Sequence, residues 1–149
     1  MKWLLKTSGN VTDLVLRVML AVVFFPHGAQ KVLGWFGGYG WHATLGFFTG
    51  VQGLPMLVAV LVIAAEFLGS LGLFFGFLTR LAAFGIFCDM GGAIALVHHK
   101  MGFFMNWAGN MPAGVEGFEF HLLAMALAFS VMVRGAGPLS VDRALAGKR

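Results

Sequence analysis

The chain has one cysteine, Cys88, in 149 residues, so no internal disulfide, CxxC pair or thiolate metal cluster can form. It also lacks any recognisable haem, flavin or iron–sulfur motif. Redox chemistry here would need a bound cofactor or a quinone in place of protein dithiols. Charge is scarce: 11% of the residues are Asp, Glu, Lys or Arg, whereas 59% are hydrophobic. A water-soluble domain of this length needs more charge to cover its surface. No internal repeat is visible, and the length suits a single domain over residues 1–149. The formal net charge of +4 is not a nucleic-acid signal, because the basic residues stand at the ends of apolar runs, where membrane lipid and topology account for them.

Long apolar runs predict helices near 12–34, 54–78, 80–99 and 117–134, each close to the ~20 residues that a bilayer requires. The expected fold is therefore all-α, a polytopic membrane protein with four transmembrane helices in an up-down bundle. Met1 to Lys6 is weakly basic and precedes an apolar run without a small-residue cleavage pattern, which reads as a retained helix and not a signal peptide. Lys2, Lys6, Arg80, Arg134, Arg143, Lys148 and Arg149 fall on one side, with Arg17 just inside it, and only Lys31 and Lys100 fall on the other. The positive-inside rule then puts both termini in the cytoplasm. Loops 35–53 and 100–116 are rich in Gly and aromatic residues. Trp35, Phe36, Tyr39, Trp41, Phe47, Phe48, Phe103, Phe104 and Trp107 read either as an interfacial belt or as a lid over a pocket.

Glu66 stands in an otherwise apolar run from Leu54 to Leu78. A charged side chain at the centre of a membrane helix costs ~2.5 kcal/mol or more, so it usually faces protein, finds a partner and marks a site. Gly69, Gly72 and Gly76 follow it, and Gly85 and Gly92 flank Asp89; such small residues let backbones approach in lipid. Both carboxylates are thus expected inside the bundle, with Leu73 facing lipid and Cys88 as a small core residue. At ~1.5 Å per residue, Glu66, Asp89 and His27 lie near the membrane midplane. His98, His99, Glu116, Glu119 and His121 gather toward the outer side, and Lys31 follows His27 by one turn. Such a set can ligate a metal, relay protons, or hydrogen-bond a quinone and exchange its protons. An inter-helix metal site would use His27, Glu66, one of His98 or His99, and Glu119. His121 reads as headgroup-facing and His42 as a loop residue. Asp13 and Arg17, spaced i,i+4, are expected to pair, with Arg80 and Arg134 reaching headgroups as anchors.

The order of several short motifs is more specific than any one of them. Arg17 precedes His27-Gly28-Ala29-Gln30-Lys31, and then come Glu66-Phe67-Leu68-Gly69-Ser70 and Gly76-Phe77-Leu78-Thr79-Arg80-Leu81-Ala82-Ala83. His98 stands four residues before Gly102-Phe103-Phe104, Gly117-Phe118-Glu119 follows, and near the C-terminus comes Gly135-Ala136-Gly137-Pro138-Leu139-Ser140-Val141-Asp142. In these the chain closely resembles the DoxX family of small bacterial membrane proteins. The resemblance implies a four-helix protein of the bacterial inner membrane, and some relatives are linked to quinone-dependent oxidation, including the DoxD subunit associated with thiosulfate:quinone oxidoreductase. It favours His98 over His99 and marks His27, Lys31, Glu66, Arg80 and Glu119.

The leading expectation is a quinone-interacting subunit serving a partner oxidoreductase, with Glu66 and His27 as catalytic groups. His27, Lys31, Glu66, Asp89, His98 and Glu119 would line the ligand site. A transporter or binding protein for a small solute, metal or proton, working as a homo-oligomer, and a non-catalytic assembly protein are the alternatives.

Overall fold

The computed structural model describes residues 2–112 and 114–147, and these contain helices, turns and loops with no strand. Lys148 and Arg149, two of the basic residues counted above, lie outside the described residues, as do Met1 and the side chain of Lys2. The helices are α1 (Lys2–Leu5), α2 (Val11–Leu33), α3 (Gly40–Gly46), α4 (Met56–Phe75), α5 (Thr79–Leu96), α6 (Glu119–Arg134) and α7 (Val141–Ala146). Three of them, α2, α4 and α5, are long and apolar enough to cross a membrane. Four were expected. With 16 residues, α6 reaches ~24 Å at 1.5 Å per residue, short of a ~30 Å hydrocarbon core.

Local chemistry sets the helix ends. Asn10 caps α2 by accepting from the Thr12 N–H at 2.9 Å, and Gly34 ends the helix in the left-handed region at φ 71°. Gly76 does the same for α4 at φ 67°, so Phe77 and Leu78, apolar as they are, belong to a turn and not to the helix. Residue 78 is itself left-handed (φ 47°) and gives α5 no side-chain cap. The carboxylate of Asp142, on α7, replaces that cap, accepting from the N–H groups of Leu78 and Thr79 at 2.8 and 2.9 Å.

The buried core draws on α2, α4, α5 and α6, through residues such as Leu20, Phe24, Leu73, Ile86, Ala128 and Val131. Leu73 is therefore a core residue and not a lipid-facing one. The tightest helix approach is at Gly28, where an added Cβ would lie 2.5 Å from the Phe67 Cα. Between α4 and α5 the close contacts are at Gly69, Gly72 and Gly85, the last facing Ala65 at 3.2 Å from its would-be Cβ, whereas Gly92 meets nothing within 4 Å. The expected packing face is thus correct along most of its length and wrong at Gly92.

Arg17 and Arg80 do not reach outward, whereas Arg134 is exposed. Arg17 is buried and pairs with no carboxylate side chain. It donates to the carbonyls of Leu73, Phe74 (2.6 Å), Ala136 (2.9 Å) and Leu139 (3.1 Å), closing the last turn of α4 and the segment after α6. Arg80, also buried, donates to Met132, Val133 (2.8 Å) and Lys6 (2.9 Å) carbonyls and stacks on Trp3, with its guanidinium carbon 4.7 Å from the ring centroid. Asp13 instead pairs with Arg134 and accepts from Ser8. The arginine bonds to Leu73, Phe74, Met132 and Val133 satisfy carbonyls that α4 and α6 leave free at their C-termini.

Candidate ligand cavity

A cavity of about 840 Å³ lies between α2, α4, α5 and the start of α6, within the ~300–1,000 Å³ typical of small-molecule sites. Most of its wall is apolar, from residues such as Phe24, Val62, Ala65, Met90 and Phe120. The ionisable groups that face it are His27, Lys31, Glu66, Asp89, His98, Glu116 and His121. Gly28 is what brings the α2 pair His27 and Lys31 up to Glu66, because α2 crosses α4 at Glu66 and Phe67 with no room for a side chain.

Glu66 is buried and forms an ion pair with Lys31 through Oε2. The Asp89 carboxyl lies within hydrogen-bonding reach of that of Glu66, and its Oδ2 is buried with no donor. His27, one turn before Lys31, is exposed into the cavity. Toward the loops, the rings of His98 and His121 pack with centroids 4.1 Å apart. His98 Nδ1 is 2.7 Å from the Glu116 carbonyl; a carbonyl only accepts, so this nitrogen carries the proton and leaves Nε2 as the acceptor. The Nδ1 of His121 is buried and unpartnered. The cavity thus has a carboxylate–ammonium floor and an imidazole pair nearer the loops.

Five of the six expected ligand-binding residues, His27, Lys31, Glu66, Asp89 and His98, line this cavity, and Glu119 does not. Its Oε1 accepts from the Met105 N–H at 2.8 Å and the Trp107 Nε1 at 2.7 Å, so it pins the second loop across the start of α6. Among the described residues no three His, Cys, Asp or Glu side chains are grouped to hold a metal ion, and the expected set of His27, Glu66, His98 and Glu119 is not assembled. His99 is exposed with Nδ1 3.1 Å from the Ile94 carbonyl. The helix ends at Leu96 and a 3₁₀ turn covers His98–Met101, which turns His98 inward where a continued helix would favour its neighbour.

His121 is the inward residue that sequence reasoning placed at the headgroups. Its signal is the spacing to Ala124, Ala128 and Val131, which are buried with it on one stripe of α6. Cys88, expected in the core, is exposed and lines the cavity. Of the loop aromatics, Phe48 lines the cavity, whereas Trp35, Phe36, Tyr39, Phe104 and Trp107 are exposed.

Two curated proteins resemble the chain along most of its length. A Bacillus subtilis (strain 168) protein named "Putative oxidoreductase CatD" is 30% identical over 135 residues, covering 91% of this chain and 87% of its own. "Inner membrane protein YphA" of Escherichia coli (strain K12) is 29% identical over 133 residues, covering 87% of each. No solved structure matches. The family model for DoxX matches residues 12–99, a stretch that runs from the first turn of α2 to His99 and holds five of the cavity's seven ionisable groups, and the chain belongs to the DoxX family of membrane proteins.

Proposed function

We propose that this protein is a quinone-interacting subunit of a membrane oxidoreductase system. The observation that carries this reading is the joining of a buried Glu66, ion-paired with the partly buried Lys31, and an adjacent Asp89 carboxyl to an apolar cavity of about 840 Å³. Ionisable groups at such cost inside an apolar helix assembly mark sites more often than they stabilise folds. The name of the Bacillus relative, an oxidoreductase, agrees with redox chemistry.

Reduction of a quinone to a quinol takes two electrons and two protons. The electrons come from a partner oxidoreductase, since the sequence carries no recognisable haem, flavin or iron–sulfur motif. Of the two protons, one passes through the Glu66–Asp89 carboxyl pair and one through His27, each group being refilled from water, while Lys31 stabilises the negative charge that develops on the ring oxygen. The unpartnered His121 nitrogen donates to the far oxygen of the quinone, and His98 Nε2 accepts from the hydroxyl formed there on reduction. A metal is not needed for this reading.

The membrane setting belongs to the same proposal. The α6 helix is the fourth span of a single four-helix up-down domain, completed by the residues just before Glu119, and membrane lipid surrounds the assembly. The name of the Escherichia relative supports the bacterial inner membrane, and the Lys and Arg excess at one end supports cytoplasmic termini.

The test is solvent extraction of the protein purified in mild detergent, with the extract assayed for quinone. Wild type should carry up to one quinone per chain, and Glu66→Gln and His27→Ala should lose it while remaining folded. Equal quinone in all three would leave these groups without a role in binding.

A further inference from the structure

The cavity is open on the side where α4 and α5 separate. These helices touch along Gly69, Gly72 and the Ala65–Gly85 pair, and beyond that point Gly92 faces open space. From there the cavity wall runs to Leu54, just before α4, and to Leu96 at the end of α5. Along α5 the eleven steps from Gly85 to Leu96 make the cleft ~16 Å long at 1.5 Å per residue. Its lips are apolar and outward-facing: Val58 and Leu61 are 40% and 58% exposed, and Phe84 and Leu96 are 50% and 56% exposed. Since α4 and α5 are both long and apolar enough to span a membrane, a cleft between their outer faces meets hydrocarbon. At its floor lie Glu66 and Asp89.

We infer that ligand enters this cavity from the hydrocarbon core of the bilayer, between α4 and α5, and that the cleft holds the alkyl tail of an amphiphile whose polar ring rests on Glu66 and Asp89. The polarity gradient selects that class of ligand. A water-soluble solute would have to cross apolar lips, whereas a tailed molecule keeps its chain in an apolar setting throughout. The tail gains little by moving from lipid to the cleft, because both are apolar; its placement governs access and orientation. That the ring is a quinone rests on the reading above, but the route from the bilayer does not.

Cys88 provides the probe, being the single cysteine, exposed and on the cavity wall. A nitroxide attached to it in lipid nanodiscs should collide with oxygen, which concentrates in lipid, far more than with a water-soluble nickel chelate. In parallel, Gly92→Leu should place a side chain in the cleft without a clash and weaken binding of a decyl-substituted benzoquinone about tenfold, or ~1.4 kcal/mol. The same ring without the chain should bind it as it binds wild type. Val58→Trp, on the other lip, serves as a second occluding variant if Gly92→Leu melts early.

A chelate-dominated label would mean an aqueous mouth and would overturn the route whatever quinone does. Label spins coupled to one another in discs loaded with two or more chains would mean that a second copy covers the cleft, which also overturns it. Equal weakening of tailed and tail-less rings by the occluding variants would overturn the tail placement. An oxygen-dominated label in a protein that binds no quinone would uphold the bilayer route and defeat the quinone reading alone.

Discussion

The two ends of the helices use charge in opposite ways. At the end where α1 and α7 lie, Arg17 and Arg80 are buried among carbonyls that accept their N–H groups, Asp142 caps α5, and Asp13 is held by Arg134 and Ser8. The donors and acceptors there are largely matched, and they tie α2, α4, α5 and the segments around α1 and α7 into one closed knot. At the cavity, charge is matched incompletely: Lys31 meets one of two neighbouring carboxyls, Asp89 Oδ2 has no donor, and His121 Nδ1 has no partner. Burying an unsatisfied polar atom costs ~1–3 kcal/mol. A chain that spends charge so completely at one end and leaves it open at the other has put structure in the first and a ligand's place in the second.

This contrast breaks most visibly at Arg17. Arg17→Met removes the donor for four carbonyls in a buried setting and should destabilise by about 3 kcal/mol or more, read as a large fall in melting temperature in detergent or as loss of folded protein. A small effect would mean that water replaces the guanidinium and that this end is less closed than described. Asp142→Asn keeps the shape but loses the charge and one of two backbone acceptors at the start of α5, so a loss of about 1–2 kcal/mol is expected. No change in melting temperature would show that the left-handed Leu78 turn holds without its cap.

Much of this division was legible in sequence, and the parts that were not have local causes. The apolar runs located the three long helices within a few residues, and Glu66 stood out because a carboxylate in such a run has few tolerable places. Hydropathy cannot tell an arginine that reaches lipid headgroups from one that turns inward to helix carbonyls. For Arg17 the signal was the stripe of Leu20, Ala21 and Phe24 on its own face, all buried with it. Helical spacing could not choose between His98 and His99, because α5 stops at Leu96 and no wheel drawn past that point has meaning; the order of motifs favoured His98, which lines the cavity. Glu119 kept its family motif, yet its carboxylate is consumed by two donors from the loop, a pairing between residues 12 and 14 apart that periodicity does not reveal.

The smallest stability effect and the largest functional one should coincide at Glu66. Glu66→Gln leaves Asp89 beside Lys31 to take over the ion pair, so the unliganded protein should melt within ~1 kcal/mol of wild type. Ligand that binds only the folded state at a hundred times its Kd adds ~2.7 kcal/mol. The decisive measurement is therefore the melting temperature of wild type and Glu66→Gln in nanodiscs, each with and without saturating decyl-substituted benzoquinone. A rise of several degrees in wild type, absent from a Glu66→Gln protein of normal unliganded stability, is the result expected. Equal rises in both, or a Glu66→Gln protein that collapses as Arg17→Met should, would contradict the division between a structural end and a ligand-binding one.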